Sequence, residues 1–274
     1  MKANNIKSRQ LAINVAKKII TLAHKKKASH IGGALSATDI LSVLYSYILK
    51  FDINDPMSVS RDRLFYSKGH ACLGLYAVLQ ELGFYTAADL DTFTTNGSYF
   101  TSHVNHKVPG IELSTGSLGH ALGVACGVAL AGKIKNAGWR VYTIVSDGEL
   151  DEGSNWEAIL FAPHHQLSNL TVIVDYNKIQ SFGEVEKVLN LEPLKDKFIA
   201  FGWNTIEVDG HNHAALLEIL STNKQLATKP TIIIAHTIKG KGVPFMENEL
   251  AWHYKSPNDE QLREALEYLE ISYT

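Results

Sequence analysis

Two short stretches hold residue types that could do chemistry. Ser146-Asp147-Gly148-Glu149-Leu150-Asp151-Glu152-Gly153 follows one apolar run, and Asp175-Tyr176-Asn177-Lys178-Ile179-Gln180 follows the next. Asp147 and Asn177 are separated by 30 residues (177 − 147), the length of one strand–helix–strand unit. A right-handed crossover of that length delivers both side chains to the same edge of a sheet. One carboxylate and one amide oxygen make a sparse hard-oxygen set that suits Mg²⁺ or Ca²⁺, with backbone oxygen, water and ligand phosphates completing the shell. Gly148 lets a phosphate approach the backbone, and a helix starting near Ser154 adds its positive dipole end. Either residue alone reads as an ordinary polar strand end; paired at this spacing they point to a cation.

The elements that must position these residues alternate between strand and helix. The first segment, 6–27, places Leu11, Val15, Ile19 and Leu22 at helical spacing, and Thr38-Asp39 opens a second helix with Ile40, Leu41, Leu44 and Ile48. Asp52 to Asp62 is a polar, Pro-containing connection. Strands are expected at Leu64-Phe65-Tyr66, RVYTIVS (140–146), NLTVIVD (169–175), 205–208 and TIIIAH (231–236). Their β-branched, continuously apolar character marks parallel strands covered on both faces. Helices are expected at 117–136, 154–166, 194–201 and 214–220. The fold class is therefore α/β, a doubly wound parallel sheet with helices on both faces, binding its ligand beyond the carboxyl ends of the strands.

Composition narrows the partners. The chain has 274 residues, with 26 Lys and Arg against 28 Asp and Glu, a net charge of −2. No basic stripe offers a phosphate backbone a landing site, so nucleic acid is not an expected partner. The apolar run Ala121 to Gly132 is too short to span a bilayer, and Lys17 and Lys18 interrupt any signal peptide. Two cysteines without CxxC spacing, Cys72 and Cys126, read as buried thiols of a cytoplasmic protein. Gly127 to Ile134 nearly matches a P-loop but lacks the magnesium-binding Ser or Thr, so its small residues are assigned to close helix packing. Gly240-Lys-Gly242 is too short for a dinucleotide fingerprint. Of the 12 histidines, His164-His165 and His211-x-His213 are assigned capping or surface roles, because no Cys pair or HExxH motif accompanies them.

With these residues on the page, the sequence resembles the transketolase family of thiamine diphosphate enzymes. The family marks its metal–diphosphate site with Gly-Asp-Gly and, about thirty residues on, an Asn-containing loop; here Asp147, Gly148 and Asn177 match and Ser146 departs. Ser29-His30-Ile31-Gly32-Gly33, Asp62-Arg63, Ser67-Lys68-Gly69-His70, Thr115-Gly116-Ser117-Leu118-Gly119, Glu152-Gly153, Asp209-Gly210-His211 and Trp252-His253 follow in family order. The resemblance implies the thiamine diphosphate-binding fold. It implies that Asp147, Asn177 and the Ile179 carbonyl hold Mg²⁺ or Ca²⁺, and that His70, Gly116, Ser117, Leu118, Gly148, Glu149 and Asn177 bind the cofactor. His30, His70, His103 and His253 are implied as catalytic, close to the reactive carbon or to the hydroxyls of a ketose. His103 lies in Ser-His-Val where the family has Gly-His-Pro, and Ser29 and His120-Ala121 depart too.

The resemblance also implies what lies elsewhere. Residues 1–274 correspond to a single diphosphate-binding domain, followed here only by the amphipathic segment Asn258–Glu270. The family's pyrimidine-binding domain, with its catalytic glutamate, and its C-terminal domain are expected on a separate chain. This chain is then the N-terminal subunit of a split transketolase, in an α₂β₂ assembly acting on sugars or sugar phosphates, with Glu152 and Glu157 at the subunit contact. The expected reaction is transfer of a two-carbon ketol unit from a ketose to an aldose. The rival expectations are condensation of pyruvate with an aldehyde, as in 1-deoxyxylulose-5-phosphate synthase, and a catalytically silent paralogue that stabilises a partner.

Overall fold

Alternate residues along each strand point to opposite faces, and in this chain they feed two separate cores. The computed structural model describes residues 2–226 and 228–272. In chain order the strands are β1 (Arg63–Tyr66), β2 (Val141–Ser146), β3 (Leu170–Tyr176), β4 (Ile179–Gln180), β5 (Gly183–Glu184), β6 (Asn204–Asp209) and β7 (Thr231–His236). Five of them form one sheet in the order β1-β2-β3-β7-β6, with every neighbouring pair parallel, while β4 and β5 make a small antiparallel hairpin.

Tyr66, Tyr142, Ile144, Ile173 and Ile233 pack on one side, under the helices Lys2–Lys26, Cys72–Glu81 and His213–Leu226. Phe65, Val141, Val145, Val172, Val174, Ile232 and Ile234 pack on the other, under Ala121–Ile134, Gly153–His164 and Leu194–Ala200. This is the expected doubly wound α/β sheet with helices on both faces. The amphipathic C-terminal segment is the helix Asp259–Ser272, which buries Ala265 and Leu269 against the first helix. Among the described residues no helix is long and apolar enough to cross a membrane, and both cysteines are free thiols in the interior.

Several local expectations change. The second helix starts earlier than Thr38, at Ile31, runs to Ser36, and resumes as Thr38–Val43 before a π-helical turn, Leu44–Ile48. Asp39 does not cap it. Its buried carboxylate accepts hydrogen bonds from His211 Nδ1 (2.7 Å) and His213 Nε2 (2.8 Å). Those two histidines are therefore neither surface nor capping residues but two jaws of an internal clamp. Burial opposes the charge on Asp39, yet the bonds from His211 and His213 prevail and hold its carboxyl at about 2.

The helix expected from Ser117 begins only at Ala121, because Gly119 takes a left-handed φ of 82° and donates its amide to Glu149 Oε1 at 2.9 Å. Gly132 does serve close packing, since a Cβ there would lie 2.5 Å from Trp139 Nε1, whereas Gly123 and Gly127 face open space.

Ile173 lies at the centre of the sheet and is fully buried. Ile173→Ala is expected to cost about 2–5 kcal/mol of unfolding free energy, read as a lowered midpoint in urea with an unchanged slope.

Candidate active site

Four parallel strands end at one edge of the sheet, and each contributes a loop there. β1 runs into Ser67-Lys68-Gly69-His70, β2 into Asp147-Gly148, β3 into Asn177-Lys178-Ile179, and β7 into Thr237-Ile238-Lys239. The register pairs Ser146 with Asp175, so the residues after them emerge side by side. A cavity of about 210 Å³ opens at this edge. His30, His70, Gly116, Leu118, Asp147, Gly148, Asn177, Ile179 and His253 all line it, together with Lys68 and Lys239.

The two strand tips are bonded to each other. Asp147 Oδ2 accepts the Lys178 amide (2.5 Å), Asp147 Oδ1 accepts the Gly148 amide (2.7 Å), and Asn177 Oδ1 accepts the Ile179 amide (3.1 Å). Lys178 reaches this geometry through a left-handed φ of 68°, a strained turn for a residue with a Cβ. Asp147 is 2% exposed; burial, and then the negative charge of Asp175, raise its carboxyl from the ordinary range to about 6. A buried carboxylate whose charge is disfavoured by burial and by a neighbouring carboxylate is a natural cation ligand.

The donor set fits Mg²⁺ or Ca²⁺ in its chemistry: one carboxylate, one amide oxygen and the Ile179 carbonyl, with phosphate and water left to complete the shell. Among the described residues no group of three or more His, Cys, Asp or Glu is placed to hold a metal, so softer ions have no site to prefer. Lys239 Nζ donates to the Ile179 carbonyl at 2.8 Å, which makes it a stand-in cation at one of these oxygens. Gly148 borders the cavity, and glycine is needed there because a Cβ would lie 2.7 Å from Gln180 Cβ.

Beneath the cavity lies an ion pair that the sequence reading missed. Lys68 and Asp175 are 1% and 0% exposed and in direct contact. Lys68 Nζ also donates to the Gly33 carbonyl (2.8 Å), and Asp175 accepts from Ser36 Oγ (2.6 Å) and Thr237 Oγ1. Burial would raise the Asp175 carboxyl, but the Lys68 ammonium outweighs it and holds the group below its ordinary value. The pair ties β1, β3, β7 and the helix after His30 together under the site. Its signal in the sequence is a charged residue at the end of an otherwise apolar strand of a parallel sheet.

The histidines gather on one wall. The ring centroid of His30 lies 4.9 Å from that of His253, 5.3 Å from that of His70 and 6.2 Å from that of His103. His30 holds a left-handed φ of 65°, and its amide donates to the His253 carbonyl at 2.8 Å, which fixes the two rings relative to each other. Burial, then the His103 ring and the Lys239 charge, lower His30 to about 4. Burial followed by Lys239 lowers His253 to about 3. Burial and Lys68 lower His70 well below its ordinary value. All three are neutral near pH 7, able to donate at one nitrogen and accept at the other.

Three expected residues stand apart from the lining. His103 is exposed at the mouth, its ring against Gly116, where a Cβ would meet His103 Cδ2 at 2.9 Å. Ser117 is exposed and does not line the cavity. Glu149 is fully buried behind it, its carboxylate accepting from Ser67 Oγ, the Gly119 amide and the Ser146 amide (3.3 Å). The Glu149 side chain thus organises the loops rather than facing a ligand. The helix Gly153–His164 is separated from the cavity by a 3₁₀ turn, Gly148–Asp151.

Lys68→Met strands Asp175 as an unpaired buried charge and is expected to cost about 3–5 kcal/mol in denaturant unfolding. Lys68→Met combined with Asp175→Asn is expected to recover part of that loss.

Comparison with known proteins agrees with this geometry. Residues 8–271 match the family model described as transketolase, thiamine diphosphate binding domain. The chain is 38% identical over 250 residues to one of the subunits of the apulose-4-phosphate transketolase of Phocaeicola vulgatus, covering 91% of this chain and 89% of that one. It is 40% identical over 247 residues to a 6-deoxy-6-sulfo-D-fructose transketolase subunit of a Clostridium species, covering 90% of each. The transketolase of Campylobacter jejuni superposes with a TM-score of 0.87 at 31% identity, over 98% of this chain but only 43% of that longer one. The chain belongs to the transketolase family, of which it carries the thiamine diphosphate-binding domain.

Proposed function

We propose that this chain is the diphosphate-binding subunit of a two-chain transketolase that transfers a two-carbon ketol unit from a ketose to an aldose. The observation that carries the reading is a single cavity in which Asp147, Asn177 and the Ile179 carbonyl meet three neutral imidazoles. Bound there, thiamine diphosphate supplies the nucleophilic carbon and the electron sink for breaking a carbon–carbon bond. This chain's residues bind and orient. Asp147, Asn177 and Ile179 hold Mg²⁺ or Ca²⁺ against the diphosphate, and Gly148 and the Gly116–Leu118 turn let that group approach the backbone.

His30 and His253 hydrogen-bond the hydroxyls of the sugar, and neutrality lets each pass a proton as a carbonyl becomes a hydroxyl. Lys239 Nζ lies 3.2 Å from His253 Nδ1. An ammonium only donates, so Nδ1 accepts and Nε2 carries the ring proton. Ser29 Oγ lies 2.9 Å from His30 Nδ1 and, as a hydroxyl, can donate to that nitrogen or accept from it.

A partner chain belongs to this reading. Two similar proteins are named as subunits, which supports a second chain carrying the pyrimidine-binding domain in an α₂β₂ assembly. Glu152 and Glu157 are both exposed beside the cation loop, where such a chain would meet them. The two buried free thiols support a cytoplasmic setting.

Reconstitution with the candidate partner, thiamine diphosphate and Mg²⁺ is expected to give ketol transfer from a ketose phosphate, while the 274-residue chain alone gives none; full turnover by the chain alone would refute the split-enzyme reading. Product analysis with pyruvate in place of the ketose tests the condensation alternative. A second expectation concerns pH. Asp147 must be charged to hold a cation, and its carboxyl stands at about 6. The gain in melting temperature given by Mg²⁺ together with thiamine diphosphate should therefore be full at pH 7.5, fade as the pH falls through 6, and be absent in Asp147→Ala.

A further inference from the structure

Beyond its contact with His253 Nδ1, Lys239 is placed with more care than setting one tautomer requires. It is 2% exposed. Its stem runs past Gly32, where a Cβ would lie 2.9 Å from Lys239 Cγ, so glycine is needed there to let the side chain through. The neighbouring backbone is pinned on both sides: the Ile238 amide donates to His211 Nε2 (2.8 Å), and the Gly240 amide donates to the Gly32 carbonyl (3.0 Å). The ammonium is thereby delivered to the Ile179 carbonyl, 2.8 Å away, the same oxygen that is assigned to the divalent cation.

The charges around the cavity are already matched. Lys68 is paired with Asp175. Lys239 feels Asp147 as its foremost negative neighbour, and Glu149, behind the lining, is engaged by Ser67, Gly119 and Ser146. A divalent ion arriving alone adds two positive charges beside an ammonium that holds the same oxygen. A diphosphate arriving with it brings the negative charge that both cations need.

We propose that Lys239 is a built-in competitor of the divalent cation at the Ile179 carbonyl, and that it makes cation and diphosphate bind cooperatively rather than one at a time. The inference rests on the ligand assignment of the preceding section. The cation alone is kept out, and the pair is admitted because the diphosphate draws the ammonium away from the carbonyl and neutralises both.

The test uses the full chain with Mn²⁺ as the probe, followed by electron paramagnetic resonance, and then the same titration with thiamine diphosphate present. Lys239→Met and Lys239→Gln are expected to bind Mn²⁺ alone at least tenfold more tightly than the native protein, and Lys239→Arg no more tightly. Thiamine diphosphate should tighten Mn²⁺ binding strongly in the native protein and much less in Lys239→Met. Thermal unfolding identifies any variant that fails to fold, and the Gln variant keeps a hydrogen-bonding group at the carbonyl if Met does not. No gain in Mn²⁺ affinity in a folded charge-removed variant, including no detectable binding by either protein, overturns the proposal. A gain that survives Asp147→Ala overturns it as well and faults the ligand assignment. Ketol transfer by the native complex, alongside a failed gain in Lys239→Met, sinks this inference while leaving the proposed function intact.

Discussion

The site depends on the register of two neighbouring parallel strands. Pairing of Ser146 with Asp175 brings the ends of β2 and β3 level, and the Lys178 amide then bonds Asp147 Oδ2 across the gap. A one-residue slip of β3 would exchange the faces of every side chain on that strand, turning Val174 out of one core and Ile173 out of the other. Each strand is buried on both faces, so neither core could absorb that change. The precision of the strand tips is therefore inherited from apolar packing several residues away.

Placing charge at such an edge requires compensation from below. The Lys68–Asp175 pair is a cost to stability in isolation, since burying two ions gains little over an apolar pair of the same size. Its return is positional. Ser36, Thr237 and the Gly33 carbonyl complete its hydrogen bonds, so three strands and a helix share one fixed point. Burial and the nearby ammonium groups together also keep the imidazole wall neutral, and a charged wall would compete with the metal for the diphosphate.

The parts that were legible in the sequence share one property: they depend on local order along the chain. Five parallel strands, the 30-residue spacing of Asp147 and Asn177, and the motifs around His30 and His70 are of this kind. What could not be read depends on which segments the fold stacks together. The resemblance implied Glu149 as a cofactor contact, but two of its partners lie 82 and 30 residues away, at Ser67 and Gly119. His211 and His213 bond a carboxylate more than 170 residues earlier. Lys239 immediately precedes Gly240-Lys-Gly242, the stretch set aside as a failed nucleotide fingerprint. Only the strand that precedes it, and the glycine that makes way for it, show that it faces the cavity.

The clamp on Asp39 has a consequence for how the protein meets acid. Its carboxyl sits at about 2, below its ordinary value, so its contribution to stability is present above the ordinary carboxylate range and fades only as the pH falls toward 2. Asp147 discharges some four units higher, at about 6. Mild acidification thus disarms the molecule long before it dismantles this part of the frame. The imidazole wall responds in the opposite sense: His30 at about 4 and His253 at about 3 lie below their ordinary value, so each withdraws stability as the pH falls below that value.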